Sequence, residues 1–240
     1  MFIIKLSKSF LLLFSLLFSS AVKAENLIFQ SFGYSNFLIK GGGRSVLINP
    51  YKPTGCASNL SPPKNTNIDF ILASSRLADE GYNPSNKLMF VDPGTYKYKE
   101  TILNGISVPH DRVGGRRFGM ATVWSWTQNN IKIVHMAGAA GNMSFEDKIL
   151  LSRPDILFIS IGGGDKSYNG KEAAIIVEEL KPKIVIPVHF SQINKLPEGC
   201  EFSNEDLFIE NIEGFKIKKV TKNFKLNPKK INNKMIYIIK

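Results

Sequence analysis

His110, in Ser-Val-Pro-His-Asp-Arg, and His189, in Ile-Pro-Val-His-Phe, are two of only three histidines in 240 residues. Each stands just past an apolar run of β-strand character, and the carboxyl ends of strands are where α/β proteins gather ligands. A third such end follows Asp-Phe-Ile-Leu-Ala and carries Asp79 and Glu80 just before Gly81. Imidazoles and carboxylates at such ends are the groups that enzymes use as metal ligands and as general bases. The same four groups also have an ordinary reading, as solvated loop charges and as histidines hydrogen-bonded within a cleft. Arg112, Arg116 and Arg117 follow His110 in a glycine-containing loop, and Arg76 lies in the loop of Asp79. Guanidinium groups capture carboxylate or phosphate bidentately, so the expected ligand is a small anionic molecule, unless these are simply surface arginines of a basic protein. His135 has no assigned role, and Trp124 and Trp126, alternating on one strand, read as core or cleft wall.

The groups need a scaffold, and the ends of the chain bound it. Residues 1–24 carry Lys5 and Lys8, an apolar run from Phe10 to Leu17, and a small-residue ending at Ala24, the pattern of a cleaved signal peptide. The expected mature domain is 25–240, exported to a periplasm or an equivalent oxidising compartment, with no stable membrane span after cleavage. Loss of Lys5, Lys8 and Lys23 takes the formal charge from +11 to +8. The remaining lysines are scattered or gathered near the C-terminus, so no nucleic-acid partner is expected. Cys56 and Cys200 are the only cysteines, and in an oxidising space they either pair or remain two separate thiols. A pair would enclose 143 residues and contribute about 4–5 kcal/mol in the chain-entropy picture.

Short β-prone runs fill the first half: Asn-Phe-Leu-Ile-Lys and Ser-Val-Leu-Ile-Asn joined through Gly41–Gly43, then Ile-Asp-Phe-Ile-Leu-Ala, Lys-Leu-Met-Phe-Val-Asp, Thr101–Pro109, Ala-Thr-Val-Trp-Ser-Trp and Ile-Lys-Ile-Val-His. The second half alternates. A helix opens at Ser144 as N-cap, a strand follows in Asp-Ile-Leu-Phe-Ile-Ser, an amphipathic helix runs up to Pro182, and a strand ends at His189. The glycine run Gly162–Gly170 lacks both the dinucleotide spacing and a Walker lysine, and reads as a turn. A β-rich half followed by strand-helix-strand predicts an α+β domain of two mixed sheets with helices outside.

From about Gly33 to Phe190 these segments resemble the metallo-β-lactamase fold, in its branch of small lactonase-like and phosphodiesterase-like hydrolases that includes L-ascorbate-6-phosphate lactonase. The most specific match is Glu-Leu-Lys-Pro-Lys-Ile-Val-Ile-Pro-Val-His-Phe; Asn49-Pro50 stands where that branch usually has Asp-Pro. The resemblance implies a four-layer αββα sandwich. It also implies a metal site from a His-x-His-x-Asp-His loop, a later His, an Asp after a Gly, and a final His, which activates a water for attack on an ester, lactone or phosphodiester. Laid on this chain, the loop positions fall on Ser75, Leu77, Asp79 and Glu80, the two single histidines on His110 and His189, and the Gly-Asp element on Gly138-Ala139. Leucine and alanine cannot ligate and serine is a poor zinc ligand, so a two-metal centre is not expected. Two expectations remain open. In one, Asp79, His110 and His189 are catalytic and hold, with Glu80, a single divalent metal in a divergent hydrolase. In the other, a non-catalytic binding protein with no metal uses the same cleft and its arginines.

Overall fold

The computed structural model describes residues 25–64, 67–83, 86–191, 197–200, 202–231 and 234–240. The signal-peptide expectation for 1–24 lies outside the described residues. The chain order is β1 (Leu27–Gly33), β2 (Asn36–Gly41), β3 (Arg44–Ile48), β4 (Phe70–Leu72), β5 (Met89–Phe90), β6 (Gly94–Tyr98), β7 (Thr101–Pro109), β8 (Met120–Gln128), β9 (Ile131–Met136), α1 (Phe145–Leu151), β10 (Ile156–Ser160), α2 (Gly170–Leu180), β11 (Ile184–Val188), α3 (Asp206–Glu210), β12 (Lys216–Val220), β13 (Asn223–Leu226) and β14 (Met235–Ile239). Among the described residues no helix is long and apolar enough to cross a membrane.

Two sheets stack face to face. The first is ordered β13-β1-β2-β3-β4-β5 and the second β12-β14-β11-β10-β9-β8-β7-β6. Alternation along the strands sends one set of side chains into the space between them. Phe29, Phe37, Ile39, Ile48, Phe70 and Leu72 of the first sheet meet Trp124, Trp126, Ile133, Phe158 and Ile186 of the second. On the outer side of the second sheet, Val134, Leu157, Ile159 and Val185 pack against Ala173, Val177 and Leu180 of α2 and Phe208 of α3. The outer face of the first sheet keeps a small cluster of Leu38, Leu47, Ile68 and Ile71, to which no helix contributes. The predicted two-sheet sandwich is therefore present, with its described α-helices on the second sheet.

Local chemistry fixes the elements. Ser144 and Asn169 cap α1 and α2 through capping boxes closed by Asp147 and Glu172, each satisfying two otherwise orphaned backbone donors. Lys181 takes the left-handed conformation after α2, and Pro182 bars any continuation. β9, β10 and β11 run parallel, so their carboxyl ends meet at one rim of the second sheet. β7, antiparallel to β8, which is antiparallel to β9, delivers its end to the same rim.

Candidate functional site

This rim collects the polar residues. β3 leads into Asn49, β4 into the loop Ser74–Gly81, β7 into His110, β10 into the glycine loop 162–169, and β11 into His189. The loop Ser74–Gly81 is tight: Glu80 and Gly81 both donate their backbone N–H to the carbonyl of Leu77, at 3.1 and 2.8 Å. A Cβ on Gly81 would lie 2.0 Å from the carbonyl oxygen of Ser75, so only glycine closes the turn that presents Asp79 and Glu80. Thr122 of β8 donates its backbone N–H to the carbonyl of Ser74 at 2.7 Å, tying the loop to the second sheet.

Glu80 points inward. Its Oε1 lies 3.0 Å from His110 Nε2 and accepts from Ser75 Oγ at 2.7 Å, with the Glu80 and His110 side chains only 8% and 2% exposed. Asn49 completes the cluster, donating from Nδ2 to Ser74 Oγ at 2.9 Å and, weakly, to Glu80 Oε2 at 3.5 Å. Burial and the nearby Asp79 carboxylate push the Glu80 carboxyl up to about 7, while burial and the Lys166 ammonium pull His110 down to about 4. Both shifts express one fact: this interior disfavours charge on either partner. Among the described residues, His110 Nδ1 and His135 Nδ1 are buried without a hydrogen-bond partner. His135 Nε2 pairs with the carbonyl of Ser35 at 3.2 Å, and burial pulls this ring down to about 4 as well.

Asp79 points the other way, into a cleft of about 550 Å³ that it lines together with Lys166, His189, Tyr34, Phe118 and Phe202. Lys166 Nζ donates to Asp79 Oδ2. Burial works against ionising Asp79, but the Lys166 ammonium outweighs it and holds the carboxyl below its ordinary value. The His189 ring lies between Tyr34 and Phe202, at centroid distances of 5.3 and 4.8 Å. Its backbone sits at φ 52°, sparsely populated by residues other than glycine, and its burial lowers the imidazole to about 4. Cys56 and Cys200 are bonded to each other and form part of the wall, with Tyr34 donating its hydroxyl to the carbonyl of Cys56.

Of the four expected metal donors, Glu80 and His110 are turned to each other in the interior, while Asp79 and His189 line the cleft, with Asp79 held by Lys166. A ligating His110 would have to turn Nε2 from Glu80, and Asp79 would have to give up an ammonium. Among the described residues no three His, Cys, Asp or Glu side chains gather so as to hold a metal ion. A Cβ on Gly138 would lie 2.6 Å from Ser74 Cβ and 2.8 Å from Glu80 Oε2, so glycine lets this strand end approach the loop that carries Glu80. This donor geometry does not fit a metal, which needs several lone pairs aimed at one point.

The arginines expected to capture an anion are engaged within the chain. Arg76 pairs with Asp92 at 2.7 Å on the surface. Arg112 forms a bidentate pair with Glu172, at 3.0 and 2.7 Å, and donates to the carbonyls of Gly164 and Ser167. It is a strap from the His110 loop onto the glycine loop that carries Lys166. Arg116 Nε donates to the carbonyl of Val113, and Arg117 pairs with Asp165 at 2.7 Å.

Lys166 and Asp111 were not singled out in the sequence. The first sits in what reads as a plain turn, and its partner lies 87 residues away. Asp111 had a local signal, since an aspartate followed by Arg-Val-Gly-Gly suits a loop in which one carboxylate gathers backbone donors. Its two oxygens accept from the N–H groups of Val113, Gly115, Arg117 and Phe118 at 2.8–2.9 Å. Burial opposes its charge, yet those four donors hold the carboxyl down at about 2. Asp111 thus shapes the loop beside His110 and offers nothing to a ligand.

Known proteins agree with this architecture. A UPF0173 protein of Pyrococcus abyssi is 26% identical over 180 residues, covering 66% of this chain and 81% of its own length. A metallo-beta-lactamase superfamily protein of Thermotoga maritima superposes with a TM-score of 0.68 at 17% identity, covering 89% of this chain and 98% of its own. An isothiocyanate hydrolase from Delia radicum gut bacteria gives 0.59 at 11% identity, over 88% and 95% of the two chains. These structural likenesses are of fold. The family described as Beta-lactamase superfamily domain matches residues 29–189, more than half of the chain: the chain belongs to the beta-lactamase superfamily.

Proposed function

We propose that this chain is an exported, metal-independent binding protein built on a hydrolase fold, and that its rim cleft holds a small molecule bearing an anionic group. The observation that carries the reading is that both carboxylates of the expected donor set are already paired, Glu80 with His110 and Asp79 with Lys166. Each carboxylate already has a partner that a metal would have to displace, and the buried pair would leave an uncompensated group behind if opened. Among the described residues, the cation facing the cleft is Lys166, whereas the arginines are bound to carboxylates and carbonyls of the chain. Export is supported by the Cys56–Cys200 disulfide, a bond that persists in oxidising compartments. The mature unit is 25–240, acting without a nucleic-acid partner.

Elemental analysis of protein purified without added metal tests the reading. Substoichiometric metal, with the melting temperature unchanged in chelator, is the expected result. A stoichiometric divalent ion that is lost on replacing His110 and His189 with alanine would sink it and restore the hydrolase reading, with Asp79, His110 and His189 around one zinc.

A further inference from the structure

The cleft presents two opposite charges side by side within aromatic walls. Lys166 and Asp79 are in contact, with their side chains 25% and 44% exposed, and the ammonium also lies 5.7 Å from the centre of the Phe118 ring. Tyr34, Phe118, Phe202 and His189 line the rest of the same space. Its volume of about 550 Å³ is within the range that small-molecule sites occupy.

The charge balance selects the ligand. A simple anion arriving at Lys166 would find Asp79 already there, leaving one uncompensated negative charge in a half-buried space. A phosphate dianion would fare worse, because it would bring two negative charges to one ammonium that Asp79 already neutralises. A simple cation arriving at Asp79 would meet the Lys166 ammonium. A molecule that carries both charges a few ångströms apart exchanges one ion pair for two and adds no net charge. An ammonium has three donors, of which Asp79 takes one, and a carboxylate has lone pairs beyond the one Lys166 occupies. The aromatic rings favour an apolar body on that molecule and also favour its cationic end.

The glycine loop is held for this purpose. Arg112 fastens the carbonyls of Gly164 and Ser167, on either side of Lys166, to Glu172 at the start of α2. Lys166 is thereby presented from a strapped loop, so little order remains to be imposed when a ligand arrives.

We infer that the cleft is a zwitterion site, which takes an α-amino acid with an apolar or aromatic side chain, its carboxylate on Lys166, its ammonium on Asp79 and its side chain among Tyr34, Phe118, Phe202 and His189. The inference deepens the metal-independent binding reading and rests on it.

Calorimetric titration with L-phenylalanine, 3-phenylpropionate and 2-phenylethylamine tests it, each with and without EDTA. L-Phenylalanine should bind at least about ten-fold more tightly than either half-ligand. Lys166→Met should weaken L-phenylalanine by about ten-fold or more and leave 2-phenylethylamine bound as well or better; Asp79→Asn should weaken L-phenylalanine and spare 3-phenylpropionate. Thermal melts of both variants establish that the fold is kept. A half-ligand that equals L-phenylalanine, or no heat from any of the three up to about 10 mM, overturns the zwitterion site. L-Phenylalanine binding that disappears in EDTA overturns instead the metal-independent reading, so the two failures are told apart.

Discussion

Replacing Glu80 with alanine should destabilise the protein more than any other single change at the rim. Three groups lose an acceptor: His110 Nε2 at 3.0 Å, Ser75 Oγ at 2.7 Å and Asn49 Nδ2 at 3.5 Å. The last is too long to count for much, and Ser75 Oγ can rotate. His110 cannot, being 1% exposed, with its Nδ1 already unpartnered. Stranding a buried polar group costs about 1–3 kcal/mol, and removing one member of a buried pair about 3–5. We therefore expect a loss of about 3–5 kcal/mol, which in a chain of this size lowers the melting temperature by about 6–20 °C. Glu80→Gln keeps an acceptor near His110 and should cost about 1 kcal/mol. The double variant Glu80→Leu with His110→Leu leaves no stranded group, so it should cost less than the sum of the single changes by at least about 1 kcal/mol. Urea unfolding is the assay, with the midpoint shifting at constant slope. A Glu80→Ala protein within about 0.5 kcal/mol of wild type, or a strictly additive double variant, would refute the claim that the pair is a closed structural unit.

Acid should weaken the fold in a defined window. A histidine lowered to about 4 by folding binds its proton less readily in the native chain than in the unfolded one. Its contribution is complete above the ordinary value of 6.5 and is lost as pH falls from there toward about 4. Glu80, raised to about 7, acts with the opposite sign and offsets His110, which leaves His135 and His189 to set the slope. Urea midpoints should thus fall between pH 6.5 and 4, and His135→Leu should flatten that fall. Removing the disulfide with Cys56→Ser and Cys200→Ser should cost up to about 4–5 kcal/mol, read by urea unfolding beside the reduced wild type. Arg112→Ala should release the glycine loop locally. Amides 163–168 should exchange faster, while global stability changes by only about 1 kcal/mol, because its pair with Glu172 is more than a third exposed.

Sequence alone made much of the scaffold legible because its signals are local. The cap Ser144, the stop at Pro182 and the alternation through Trp124 and Trp126 are set within a few residues, and the strand ends at His110 and His189 are marked by equally local apolar runs. What escaped is pairing across the fold. Asp79 and Glu80 are adjacent in the chain, and nothing local says that one turns inward to His110 and the other outward to Lys166. The partners of the arginines escaped for the same reason: Arg112 and Glu172 are 60 residues apart, and a guanidinium free in the sequence is paired in the structure. The two cysteines, 144 positions apart, left pairing and separate thiols equally open until the walls they join were in place.

On the proposed reading, the rim keeps the electrostatic pattern of a hydrolase site while changing the source of its charge. In a metal centre the cation is the ion, and carboxylates and imidazoles converge to neutralise it. Here the cation is Lys166, carried on a loop that Arg112 straps to α2 and neutralised by Asp79. A tethered ammonium asks for one carboxylate, whereas a divalent ion asks for a set. That difference explains why Glu80 and His110 can turn to each other in the interior without leaving the cleft unbalanced, and why a leucine at position 77 and an alanine at 139 are tolerated at the same rim. It also places the constraint on the glycine loop. An ion finds its own centre among its ligands, but a lysine charge is only as well placed as the backbone that carries it, so the strap of Arg112 and Glu172 does for this cleft what converging ligands would do for a metal.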